Sequence, residues 1–99
     1  MARIQGLFET GIITGNAIVK AAPGEIHAID LAWKSATAGQ RMIFRDGTDE
    51  SGAAEFVITI EAAQGSYHHV WPQGKRFDTG IYFDREEVTG TIELALTVK

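Results

Sequence analysis

Hydrophobic side chains alternate with polar ones most regularly at the C-terminal end of the chain. Across residues 90–99, Ile92, Leu94, Leu96 and Val98 are interleaved with Thr91, Glu93, Ala95 and Thr97. Period two marks a strand with one buried face. Residues 55–61 repeat it, with Phe56, Ile58 and Ile60 inward and Val57, Thr59 and Glu61 outward. Residues 40–45 set Met42 and Phe44 on one face and Arg41, Ile43 and Arg45 on the other. Between these two segments lies Asp46-Gly47-Thr48-Asp49-Glu50-Ser51-Gly52, rich in turn formers, which predicts a hairpin with a longer loop.

Residues 24–33 are extended but out of phase. Ile29, Leu31 and Trp33 share a face and Ile26 falls on the other, so a bulge near His27-Ala28 is expected. Ala36-Thr37-Ala38-Gly39 reads as a turn. Residues 66–71 form a strand with Tyr67, His69 and Trp71 on one side. Residues 77–83 read as a single extended segment. Gly80 in its middle signals a bulge or a close backbone approach. Near the front, residues 7–8, 12–13 and 17–22 supply one or two more strands between Gly6, Gly11 and Gly15. Ala-Glu clusters at 53–55 and 61–63 are too short to nucleate a helix alone.

About seven or eight short strands at roughly ten-residue spacing predict an all-β fold, an antiparallel two-sheet β-sandwich, jelly-roll-like. Residues 17–99 form the sandwich, and residues 1–16 are either its first strand or an arm that reaches a neighbouring subunit. The expected core is Phe44, Phe56, Ile58, Ile60, Phe83, Ile92, Leu94 and Leu96.

Composition narrows the possibilities. A chain of 99 residues has a thin core, and association is a common remedy. The absence of cysteine excludes disulfides and thiolate zinc sites, and fits synthesis in a cytoplasm. The first residues lack the apolar run of a signal peptide. No apolar stretch nears the ~20 residues of a membrane helix, so no membrane partner is expected. The net charge is −4 and the longest basic run is Lys75-Arg76, which makes nucleic acid a poor partner.

Candidate chemistry is sparse. His68-His69, with His27, resembles a metal set, but adjacent strand residues face apart; one should pack beside Tyr67 or Trp71 and the other be solvated. Asp46, Asp49 and Glu50 form an acidic loop that lacks EF-hand spacing. Asp84, Arg85, Glu86 and Glu87 read as a solvated charged turn rather than a hydrolytic carboxylate pair. Ser35, Ser51 and Ser66 sit in turns outside any nucleophile elbow. No catalytic residue, metal or cofactor is expected, and the chain does not read as an enzyme. Trp33, Tyr67 and Trp71 are candidate ligand or interface aromatics. Leu7, Phe8, Ile12 and Ile13, apolar and turn-broken, are the candidate inter-subunit contact.

An ordered series of turn and core residues carries a resemblance. It runs through Val19-Lys20-Ala21-Ala22-Pro23-Gly24, Ile26-His27, Thr37-Ala38-Gly39 and Phe44-Arg45-Asp46-Gly47, then Phe77-Asp78-Thr79-Gly80-Ile81-Tyr82-Phe83 and a final strand. Over residues 17–99 this resembles small β-sandwich virion proteins of tailed bacteriophages, of the head decoration or cement type. The resemblance implies a subunit made in the host cytoplasm and carried on the outer surface of the virion. Its implied partners are the major capsid protein and its own copies, as a trimer. The alternative is a carbohydrate-binding β-sandwich module of a phage tail or head appendage, using Trp33, Tyr67 or Trp71.

Overall fold

The computed structural model describes residues 7–86 and 88–99. The alternating segments become β1 (Phe8–Glu9), β2 (Ala17–Lys20), β3 (Gly24–Lys34), β4 (Arg41–Asp46), β5 (Ala53–Thr59), β6 (Gly65–Phe77), β7 (Ile81–Asp84) and β8 (Thr91–Val98). None of the described residues is helical. The strands form two antiparallel sheets, ordered β1-β8-β3-β6 and β2-β7-β4-β5. Among the described residues, only β4 and β5 pair as a hairpin, and every other connection between the eight strands crosses from one sheet to the other. This is the strand order of a jelly roll.

The core lies between the sheets. Ile29, Leu31 and Trp33 of β3 and Ile92, Leu94 and Leu96 of β8 face Met42 and Phe44 of β4 and Phe83 of β7. Phe44 and Phe83 are fully buried with ring centroids 5.2 Å apart. Each such side chain contributes about 1.5–3 kcal/mol through burial.

The phase break in β3 is a bulge, as expected. The register against both neighbours shifts between Ile26 and Ala28, which leaves Ile26 and Ile29 both inward and buried. On β6 the same break spans Trp71-Pro72-Gln73-Gly74, because Val70 pairs with Ala28 and Lys75 with Ile26. The strand therefore runs on to Phe77, beyond the limit read from the sequence.

Three expectations need correction. Residues 77–83 are not one extended segment: β6 ends at Phe77 in one sheet and β7 begins at Ile81 in the other. Gly80 lies in the crossing between them. A Cβ there would stand 2.8 Å from the carbonyl oxygens of both Gly47 and Lys20, so the close approach excludes any side chain. Phe56 points inward but is only half-buried, because β5 is a sheet edge. Ile43 points outward yet is 2% exposed. Its cross-strand neighbours are Val57 and Asp84. Arg41 and Arg45 flank it on the same face, held along that face by Glu86 and Asp84.

Candidate functional site

The N-terminal stretch is a broken edge along β8. Phe8 pairs with Val98. Thr10 N–H donates to the Leu96 carbonyl at 2.9 Å, and its hydroxyl oxygen accepts from Leu96 N–H at 3.0 Å. Ile13 exchanges backbone bonds with Leu94 at 2.8 and 3.0 Å. This register turns Ile13 toward the core, where it packs, and leaves Leu7 half-buried. Phe8 and Ile12 remain 57% and 64% exposed. The described part of residues 1–16 thus belongs to this chain's own sandwich; residues 1–6 lie outside the described residues.

Arg85 braces the stretch, a role its place in a charged turn did not signal. Its guanidinium donates to the carbonyls of Thr14 at 2.7 Å, Val88 at 2.8 Å and Gly90 at 3.0 Å. Its backbone N–H donates to Asn16 Oδ1 at 2.8 Å. The distant Thr14 carbonyl and the nearby Val88 and Gly90 carbonyls converge on one fixed charge, which holds the segment against the β7–β8 turn.

The candidate aromatics do not form one platform. Trp33 is a core residue whose Nε1 donates to the Ala62 carbonyl at 3.0 Å. Its ring lies beneath Gly65, where a Cβ would come within 2.7 Å of Cζ2. Tyr67 and Trp71 project from the inner face of β6, half-buried beside His69 and Phe56. Phe56 meets Trp71 edge-on at 5.0 Å, and His69 lies 4.2 Å from Trp71. Tyr67 and His69 stack at 6.2 Å. The sequence reading placed one histidine against these aromatics, and that one is His69. His68 faces the other way, exposed, with Nδ1 3.1 Å from Asp30 Oδ1. Trp33 and Tyr67 line one cleft of about 430 Å³ with Thr59, Glu61 and Gln64. Trp71 lines a different groove, of about 350 Å³, with His27 and Pro72.

Asp46, Asp49, Asp84 and Glu86 are engaged within the fold. Asp46 accepts the backbone N–H groups of Asp78 at 3.1 Å, Thr79 at 2.7 Å and Gly80 at 3.3 Å. These bonds, Thr79's foremost, hold its carboxyl below the ordinary aspartate range. Asp49 is likewise lowered by the hydroxyl and N–H of Ser51. Asp84 takes Arg45 Nε at 3.0 Å, and Glu86 lies 3.4 Å from both Arg41 and Arg45. Glu87 lies outside the described residues. His27 stands 2.9 Å from Glu25 and lowers its pKa by hydrogen bonding. Among the described residues, no three His, Cys, Asp or Glu side chains converge as metal ligands do.

No protein-family model, curated protein or solved structure matches the chain.

Proposed function

We propose that this chain is a bacteriophage virion structural protein, a decoration or cement subunit on the outside of the head. It acts by contact and carries no catalytic residue. Its partners are the major capsid protein and its own copies, the family resemblance pointing to a trimer. The observation that carries the reading is the display of Phe8 and Ile12, more than half exposed, on a backbone pinned by β8 and Arg85. Large apolar side chains held outward on a rigid edge suit a contact surface, since little ordering entropy is lost when they bind. The jelly-roll architecture, used by capsid and lectin domains alike, is compatible at the level of analogy.

The test is deletion of residues 1–13, followed by co-sedimentation with heads of the phage that encodes the chain. The deleted protein is expected to stay folded and soluble, and to lose head attachment or self-association. Intact assembly after deletion, together with a metal-dependent activity abolished by His68→Ala or His69→Ala, would overturn the reading.

One observation favours the carbohydrate-binding alternative. The cleft beside Trp33 and Tyr67 joins aromatic surface to the polar groups of Thr59, Glu61 and Gln64, the mixture that sugar recognition uses. A glycan array decides it: binding that vanishes with Tyr67→Ala selects this reading over the first.

A further inference from the structure

Four strands end the two sheets: β1 and β6 in one, β2 and β5 in the other. An edge strand offers unpaired N–H and C=O groups to any other strand. Natural edges are blunted by brevity, lysine, proline or a bulge. β1 has 2 residues. β2 has 4, with a register shift and a terminal Lys20. β6 is thrown out of line after Val70 by the segment containing Pro72, and then carries Lys75 and Arg76.

β5 differs. Its 7 residues, Ala53-Ala54-Glu55-Phe56-Val57-Ile58-Thr59, include neither proline nor lysine. Its one irregularity falls at Glu55, because Phe56 pairs with Phe44 and Ala54 with Arg45. From Phe56 onward the ladder is regular. Ile60 donates to the Gln40 carbonyl at 2.8 Å and accepts from Gly39, so Ile60 faces the β4 side. Alternation along an antiparallel strand then turns the N–H and C=O of Val57 and Thr59 toward the open side. Val57 is 40% exposed. The single charge on the strand, Glu55, is met within the chain by Lys75 at 3.5 Å.

We propose that β5 is a strand-addition site and that its occupant is β5 of a second copy, antiparallel about a two-fold axis at Val57. The pattern is self-complementary. Val57 meets the copy's Val57 and Glu55 comes to the copy's Thr59, so no carboxylate meets another. On the inner face Phe56 comes beside the copy's Ile58, which covers a ring the isolated sandwich leaves half-buried. The two β2-β7-β4-β5 sheets join into one continuous sheet, an isologous contact of the kind that closes a dimer. This surface does not include residues 1–13, so its test stands apart from the deletion above.

The experiment uses the full chain with Val57→Pro and Val57→Lys. Neither change removes a hydrogen bond of the β4–β5 ladder, so both are expected to keep the wild-type fold; if the proline variant fails to fold, the lysine variant carries the test. Light scattering should show a twofold fall in assembly mass, whether the units joined at β5 are monomers or trimers. Amide exchange at Val57 and Thr59 in the wild type should slow by about tenfold or more from dilute to concentrated solution. Fast exchange at both amides at every concentration would overturn the proposal. So would an unchanged mass in folded Val57→Lys.

Discussion

Arg85 Nη1 donates to the Thr14 carbonyl oxygen at 2.7 Å, and this bond fastens the N-terminal segment to the turn between β7 and β8. The same guanidinium bonds the Val88 and Gly90 carbonyls, so the side chain spans the point where the first and last parts of the chain meet.

Arg85→Met keeps much of the side chain's bulk and removes every side-chain donor, leaving the backbone bond to Asn16. The variant is expected to lose about 1.5–3 kcal/mol, the usual worth of hydrogen bonds to a charged group. Amide exchange should quicken at Thr10 and Ile13 before it quickens in β3. Head attachment should weaken in parallel, because Phe8 and Ile12 lose their fixed placement. Unchanged exchange at Thr10 and Ile13 would show that the β8 contacts suffice alone.

Asp46 gives the fold an acid sensitivity with a definite sign. Its folded pKa lies below the unfolded value, so its contribution is fully present above the unfolded pKa and is lost as pH falls through the folded one. Asp46→Ala should cost about 0.5–1.5 kcal/mol near neutral pH, since three amide donors lose their acceptor and the two exposed ones turn to water. The gap between wild type and variant should narrow below about pH 4, where aspartates protonate. Urea denaturation at several pH values measures it. A gap that stays constant into acid would show that the charge on Asp46 is irrelevant.

The core is uneven, and truncation should reveal it. Leu94 is 0% exposed in the middle of β8, so Leu94→Ala should cost about 2–5 kcal/mol. Phe56, at the β5 edge, is half-buried in the single chain, and in solution too dilute for pairing through β5 Phe56→Ala should cost less than Phe44→Ala by at least about 1 kcal/mol. Thermal unfolding of the three variants tests the order. Equal losses at Phe44 and Phe56 would mean that the open side is covered in solution, as pairing through β5 would do.

Local alternation determined a great deal by itself. It determined the inward faces of β5 and β8, the bulge at His27 and the opposed directions of His68 and His69, because side-chain direction in a strand depends on position parity and little else. Pairing and depth were decided only by the tertiary structure. Residues 77–83 look like one strand, but the chain must cross between sheets there, and the crossing is held by Asp46, distant in sequence. Trp33 and Trp71 both follow strand parity; one is core because β3 is central, and the other is half-buried because β6 is an edge. Ile43 sits on the solvent face by parity and is buried all the same, between Arg41 and Arg45. Parity specifies which way a side chain points. What it meets there depends on long-range strand order, which is set by the joint packing of two sheets and is not written in any single segment.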